Sequence, residues 1–212
     1  FIATFKGYGK VLSNKAFIAF LLAGVLMGIV YNQAYNSLSV YMRDSHGFNT
    51  SQYGFLLTAS AIIVILFQFS VTRWIKTKAP FIMLAVGTLF YMFGFTMFGF
   101  IHQYWLFVLA IVIITMGEMI IVPVQQTVAL NFAPVEMRGR NMGVFGFVWM
   151  IPATIGPGAA GLILDNLNPN LLWYIGGVLC SLSAFAFYLL HFRLGKQERF
   201  QPAPKKAESV LT

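Results

Sequence analysis

Six long apolar stretches, separated by short polar segments, run along the 212 residues of the chain. Each stretch has about 20 residues or more, the length that an α-helix needs to cross a bilayer. The residue-by-residue alternation of a membrane barrel is absent, so the backbone must satisfy its hydrogen bonds within helices. The predicted helices are Ala16 to Tyr41, Gln52 to Thr72, Pro80 to Ile101, Tyr104 to Ala129, Met142 to Leu164 and Leu171 to Leu190.

These helices predict an all-α membrane protein with three parts. Residues 1–15 form a cytoplasmic lead-in between domains, residues 16–191 a six-helix transmembrane bundle, and residues 192–212 a basic cytoplasmic tail. The tail is polar and contains proline, so we expect it to be disordered. Because the chain starts at Phe1 and a basic segment precedes an even number of helices, we expect it to be the second half of a longer protein, with a six-helix N-terminal half as its partner.

Composition and charge agree with a multi-pass protein of the cell membrane. The chain is 58% hydrophobic and only 9% charged, which is more apolar surface than a soluble domain buries. Of the 14 Lys and Arg residues, all except Arg43 fall in one set of loops and termini. This asymmetry predicts that both termini are cytoplasmic. It also accounts for the net charge of +8, so we expect no nucleic-acid partner.

Glu118 is the only acidic residue inside the six apolar stretches. A carboxylate at that depth is costly unless it is protonated, paired or facing water, which makes it a functional hypothesis by default. Burial favours the neutral acid. A group that exchanges a proton and also attracts a cation would couple the two by competition. The other interpretation is a permanently protonated Glu118 that hydrogen-bonds across a helix interface and serves structure alone.

Further polar and aromatic side chains within the stretches need partners in lipid and should point into the bundle. They line a path for the substrate or hold helices together, and the pattern leaves both open. The candidates for cavity lining are Tyr31, Asn32, Gln33, Asn36, Gln125, Gln126 and Trp149.

Prolines and small residues mark possible hinges, and loop cations mark possible gates. Pro123 removes one backbone hydrogen bond and favours a bend. The fifth stretch contains residues that permit close helix crossing or sliding, namely Pro152, Gly156, Pro157, Ala160 and Gly161. The inner-loop cations act in gating or only set topology; they are Arg73, Lys76, Arg138 and Arg140.

Four stretches resemble the major facilitator superfamily of transporters. Residues 31–41 resemble a Tyr-x-Gln…Leu-Pro-x-Tyr pattern, with Ser39 in place of Pro. Residues 68–76 resemble a degenerate copy of the family's Gly-x-x-x-Asp-Arg-x-Gly-Arg-Arg loop, in which Arg73 and Lys76 match. Residues 117–143 resemble the Gly-Glu…Pro…Pro…Arg-Gly pattern of proton-coupled branches that include multidrug/proton antiporters. Residues 156–161 are similar to the Gly-Pro-x-x-Gly-Gly antiporter motif, displaced here to what would be the eleventh helix.

The resemblance implies the C-terminal half of a twelve-helix fold, built from two inverted three-helix repeats around a midplane site. It implies a proton-coupled transporter that exports lipophilic cationic compounds by alternating access, with protons, a small-molecule substrate and membrane lipid as its partners. The alternatives are a proton-coupled sugar or peptide symporter and a non-transporting six-helix membrane subunit. We expect no enzymatic activity, no cofactor and no metal site.

Overall fold

The computed structural model describes residue 9 and residues 11–202. We number the helices from Lys15 onward. They are α1 (Lys15–Asn36), α2 (Leu38–His46), α3 (Thr50–Ile75), α4 (Pro80–Met97), α5 (Tyr104–Asn131), α6 (Arg138–Phe145), α7 (Phe147–Asn166) and α8 (Asn170–Leu194). Two short 3-10 turns, Val135–Met137 and Glu198–Phe200, lie at polar ends of the bundle.

Six segments are long and apolar enough to cross a membrane. Five are single helices, α1, α3, α4, α5 and α8, and the sixth is Val135–Asn166, which contains α6 and α7. The described residues contain no β-strand. The prediction of an all-α, multi-pass membrane protein with six spans is therefore confirmed.

The spans form two groups of three helices that pack into one another. The first triplet is α1, α3 and α4, and the second is α5, α7 and α8. The first helix of each triplet packs against the second and third helices of the other, and α4 packs along α8. Two spans, α3 and α4, lie between α1 and α5, so α1 and α5 run in opposite directions and the two triplets have opposite orientation. This symmetric exchange is the arrangement of two inverted three-helix repeats, half of a twelve-helix fold.

Burial differs sharply between the helices. Helices α4 and α5 bury residues on several faces. In α3 only Leu56 and Ile75 are buried. Helix α7 buries a single stripe with a spacing of four residues, formed by Val148, Pro152, Gly156 and Ala160. The remaining surfaces of α3 and α7 are broad, exposed and apolar.

Glycines set the closest helix contacts. A Cβ atom on Gly117 of α5 would lie 2.7 Å from the carbonyl oxygen of Gly87 in α4. A Cβ atom on Gly28 of α1 would lie 2.9 Å from both the Pro152 ring and the Val148 carbonyl oxygen of α7. A side chain at either glycine would push two backbones apart, so these residues decide which helices can touch.

Several predicted boundaries were wrong. The first helix ends at Asn36, and after a break at Ser37 the chain continues as α2 to His46, because Gly47 adopts a left-handed φ of 70° that ends the helix. The fifth predicted helix is divided at Gly146 into α6 and α7. Helix α8 ends at Leu194, four residues later than predicted.

The predicted disordered tail was wrong for the residues up to 202. Phe200 is 1% exposed, and its ring centroid lies 5.1 Å from that of Phe81 and 4.9 Å from that of Phe132. The end of the described chain is thus anchored by an aromatic side chain, which outweighs its polar composition. Residues 203–212 and most of the predicted lead-in lie outside the described residues.

Candidate functional site

Glu118 lies in the middle of α5, next to the Gly117 contact with α4. Its side chain is half-buried. The hydroxyl of Tyr31, from α1, donates a hydrogen bond of 2.6 Å to the Glu118 Oε1 atom. A carboxylate is an acceptor, and a phenol O–H is a strong donor to it. The contact joins the first helices of the two repeats.

Four aromatic rings surround this hydrogen bond. The ring of Tyr31 stacks on that of Tyr91 from α4, with centroids 5.5 Å apart and an interplanar angle of 15°. Its centroid also lies 5.8 Å from that of Trp149 in α7 and 5.4 Å from that of Tyr35, with interplanar angles of 75° and 63°. The hydroxyls of Tyr31 and Tyr35 are 3.0 Å apart. We call Glu118, Tyr31, Tyr35, Tyr91 and Trp149 the Glu118 cluster.

The cluster combines one acidic group with aromatic surface and partial access. Tyr35 is 51% exposed, so one side of the cluster is open, whereas the hydroxyl of Tyr91 is fully buried without a hydrogen-bond partner. Aromatic faces attract cations, and an ionised carboxyl group among them adds a full negative charge. A carboxyl group can also hold a proton while it keeps its hydrogen bonds. The arrangement suits one bound cation or one proton at a time.

The three α1 amides predicted to line a cavity form their hydrogen bonds outside this cluster. Asn32, half-buried, donates to the carbonyl of Gly28 at 3.0 Å, and Asn36, exposed, donates to that of Asn32 at 2.9 Å. Gln33 is buried and donates to the Ile29 carbonyl at 2.9 Å, while it accepts 2.6 Å from the Ser37 hydroxyl. All three thus bond within the α1 region, and Gln33 lies against Gly156 of α7.

The two glutamines of α5 have opposite environments. Gln126 is exposed. Gln125 is fully buried, and neither its side-chain oxygen nor its nitrogen has a hydrogen-bond partner. Its Nε2 atom lies 2.7 Å from the position of a Cβ on Gly24, so it fills the space that this glycine leaves open.

The small residues predicted as hinges divide into two groups. Pro152, Gly156 and Ala160 are buried in the stripe of α7 that faces α1. Pro157 is exposed, and no atom lies within 4 Å of a Cβ built on Gly161. Pro123 lies within α5, which continues through it to Asn131.

The four predicted gating cations lie at polar ends of the bundle and not in the Glu118 cluster. Arg73 is in the last turn of α3, and Lys76 follows that helix. Arg138 begins α6, and Arg140 lies within it. Arg140 is half-buried, and the other three are exposed. Their gating role stays a prediction.

Tyr35 and Tyr91 are cluster members that the sequence analysis did not select. Tyr91 lies on a helix without charged residues, and the sequence alone indicates a packing role for it. The signal that could have found it is Gly87, four residues earlier, together with Gly117 before Glu118. Small residues on both helices permit the close approach that brings the Tyr91 ring within 2.9 Å of a Cβ on Gly117.

Several known transporters are similar to this chain in sequence, with identities between 24% and 29% for three of them. The chain is 24% identical over 166 residues to a Na(+), Li(+), K(+)/H(+) antiporter of Planococcus maritimus, covering 72% of this chain and 39% of that protein. It is 29% identical over 173 residues to YttB of Bacillus subtilis, an uncharacterized MFS-type transporter, covering 78% and 43%. It is 25% identical over 159 residues to a probable L-galactonate transporter of Escherichia coli, covering 74% and 35%.

The chain spans about two fifths of the length of these relatives. The sequence profile described as Major Facilitator Superfamily matches residues 2–157, well over half of the chain. The six spans and their two exchanging triplets agree with that match. The chain therefore belongs to the Major Facilitator Superfamily.

Proposed function

We propose that the chain is the C-terminal six-helix half of a proton-coupled transporter of the cell membrane, with both termini in the cytoplasm, that exports lipophilic cationic compounds by alternating access. The observation that carries this proposal is the Glu118 cluster, in which the carboxyl group at the middle of α5 meets a tyrosine hydroxyl at 2.6 Å among aromatic rings. The multi-pass fold and the family support a transporter. The coupling and the substrate class are inferred from the cluster.

Competition at Glu118 would couple the two fluxes. A cation bound against the ionised carboxylate and the faces of Tyr31 and Trp149 is favoured by charge and by cation–π attraction. Protonation of Glu118 removes the negative charge and with it most of that attraction. Protons entering from the acidic side would therefore release the cation there, and loss of the proton on the other side would restore the site.

The exposed faces of α3 and α7 support the partner in this proposal. Exposed apolar surface of this extent on a membrane protein faces lipid or another protein. Rocking of two bundles about a midplane site requires an N-terminal half that packs on one side of the cluster. The half-buried side chain of Glu118 and the exposed side chain of Tyr35 would then face the central cleft. In that arrangement the inner-loop cations lie where the halves meet, whereas Pro152 and Gly156 lie at the contact of α7 with α1 inside this half.

The experiment uses the full-length protein in liposomes with an imposed pH gradient and a fluorescent lipophilic cation. We expect Glu118→Gln to lower proton-driven dye transport about 10- to 100-fold, because a charge-assisted interaction is lost. The matched control is Glu136→Gln, which removes one carboxylate from an exposed 3-10 turn outside the cluster. Unchanged proton-driven transport in the Glu118 variant would contradict the proposal. A wild-type protein that moves no dye or other solute would favour the non-transporting subunit.

A second candidate is antiport of a monovalent metal cation, because one relative bears the name Na(+), Li(+), K(+)/H(+) antiporter. Small hard cations are held by several oxygen ligands. The Glu118 cluster offers the carboxylate and two phenol oxygens, and its remaining surface is aromatic. We therefore favour an organic cation. Replacing the dye by Na⁺ or Li⁺ in the same liposomes distinguishes the two, since metal-driven proton release without dye transport would support the second candidate.

A further inference from the structure

A groove lies outside the Glu118 cluster, at the end of the bundle that carries most of the basic loops. It has a volume of about 280 Å³ and is bounded by the last turn of α3, the start of α4, the C-terminal half of α5 and the segment after Phe200. Its walls are apolar at Ile75, Pro80 and Val124. Thr72, Thr127 and Asn131 add hydrogen-bonding groups.

The charge of the groove has one sign. Among the described residues that line the groove, Lys76 and Lys78 are the charged ones and none is acidic. Both lysines are exposed. Two ammonium groups above an apolar wall with nearby hydroxyl and amide groups fit a phosphate that carries a hydrophobic tail.

The groove lies where two apolar spans end, the depth at which we expect lipid headgroups. Helix α3 ends at Ile75 and α4 begins at Pro80, so the lysines stand where two spans leave the apolar layer. Trp74 is 52% exposed, and the Lys78 Nζ atom lies 5.5 Å from the centre of its ring. Tryptophan and lysine side chains are enriched at this boundary between acyl chains and water.

The groove opens toward the periphery of the bundle. Thr127 lies nine residues after Glu118. At 3.6 residues per turn, nine residues place it on the opposite side of α5. It is exposed, in contrast to the buried Val128 and Ala129 beside it. A ligand would enter from the surrounding bilayer and not from the central cleft.

We propose that this groove binds the headgroup of an anionic phospholipid, with the phosphate between Lys76 and Lys78 and the glycerol end of the acyl chains along Ile75 and Val124. Free phosphate would use the lysines but leave the apolar walls without a role. The volume is close to the lower limit of small-molecule sites and fits a headgroup with the start of its chains, not a whole lipid.

The test uses the full-length protein in detergent and lipids with brominated acyl chains, which quench nearby tryptophans. The signal of Trp74 is the difference between the wild type and Trp74→Phe, since the chain has four tryptophans. We expect brominated phosphatidylglycerol to quench Trp74 at a concentration about 10- to 30-fold lower than brominated phosphatidylcholine, because each lysine near an anionic surface adds to the attraction.

Two double variants complete the test. Lys76→Gln with Lys78→Gln should abolish the preference for phosphatidylglycerol. Lys15→Gln with Lys196→Gln removes two exposed lysines outside the groove and should retain it. Equal quenching by the two lipids in the wild type, or an unchanged preference in the groove variant, would overturn the proposal. Complete displacement of phosphatidylglycerol by millimolar inorganic phosphate would also overturn it, since it would indicate a small-anion site.

Discussion

Glu118 and Gln125 lie seven residues apart on α5, on nearly the same helix face, yet their surroundings differ. Glu118 is half-buried and accepts a hydrogen bond from Tyr31. Gln125 is fully buried, and both of its side-chain polar atoms lack a partner. At the level of Glu118, helix α1 presents Tyr31, whereas at the level of Gln125 it presents Gly24. The antiparallel course of α1 and α5 produces this difference, because Gly24 and Tyr31 are also seven residues apart.

The difference separates two uses of polarity in a membrane helix. A buried amide without a partner costs stability and offers no open path to a ligand. A carboxyl group with a phenol partner and one accessible side can change its protonation and its neighbour. Substitutions at both positions and at their neighbours test whether the two residues differ in this way.

The largest effect is expected from Tyr31→Phe, which removes the hydroxyl that donates to Glu118 and leaves the ring in place. Cation binding should weaken about tenfold or more, because a hydrogen bond to a charged group contributes about 1.5–3 kcal/mol. The measurement is equilibrium binding of a lipophilic cation to the full-length protein. The control is Tyr104→Phe, whose hydroxyl donates to the Gln52 carbonyl at 3.0 Å outside the cluster. Equal affinities in both variants would show that the tyrosine does not assist the carboxylate.

The second prediction compares two glycines: Gly117, which precedes Glu118 in the chain, and Gly24, which contacts Gln125 from α1. Gly117→Ala places a Cβ 2.7 Å from the Gly87 carbonyl oxygen, so the backbones of α4 and α5 must separate. We expect a loss of about 1–3 kcal/mol of unfolding free energy. Gly24→Ala meets the end of the Gln125 side chain at 2.7 Å and a methyl group of Val148 at 2.9 Å, which can move. Thermal unfolding in detergent should show the larger loss for Gly117→Ala. The reverse order would mean that the contact at Gln125 is the more rigid one.

The third prediction concerns the buried amides. Gln125→Leu should leave stability unchanged or raise it by about 1 kcal/mol, because it removes polar atoms that have no partner. Gln33→Leu should lower stability by about 1–2 kcal/mol, since it removes the acceptor of the Ser37 hydroxyl and leaves that buried group unpaired. The measurement is again thermal unfolding of the two variants. Destabilisation by Gln125→Leu would imply that an ordered water or ion satisfies Gln125 in the membrane.

The smallest effect concerns pH and involves His46, the last residue of α2, which lies outside the Glu118 cluster. Burial, with the neighbouring His102 as a second cause, lowers the pKa of His46 below its ordinary value of 6.5. The unfolded chain therefore binds more protons at His46, so its contribution to stability is present above pH 6.5 and decreases as the pH falls below that value. His46→Phe should flatten this part of the profile of thermal stability against pH. An unchanged profile would assign it to other groups.

Much of the fold could be predicted from local pattern. The six spans and the absence of strands follow from the length of the apolar stretches. Helix breaks were harder, because α2 and α6 adjoin the long helices α1 and α7 with only Ser37 or Gly146 between them. The docking of Phe200 on Phe81 and Phe132 could not be read from a polar tail, since a single buried ring depends on a socket formed by distant residues.

The candidate site was partly predicted. Glu118 stands out in the sequence because no other acidic residue lies in an apolar stretch. Tyr31 and Trp149 were selected as cavity residues without any indication that they meet it. Asn32 and Asn36 share the same helix, yet they bond to their own backbone. Periodicity gives the face of a residue and not the neighbour that this face meets.

Local composition alone specifies the number of apolar spans, the concentration of positive charge at one set of helix ends and the one acidic residue within an apolar stretch. Three features follow from the folded bundle and not from local composition: Tyr31 reaches Glu118, Tyr91 stacks on Tyr31, and Gln125 is enclosed without a hydrogen-bond partner. These pairings depend on close packing between helices remote in sequence, such as that at Gly87 and Gly117. Contacts of that kind are set by the shape of two surfaces together, which neither segment specifies alone.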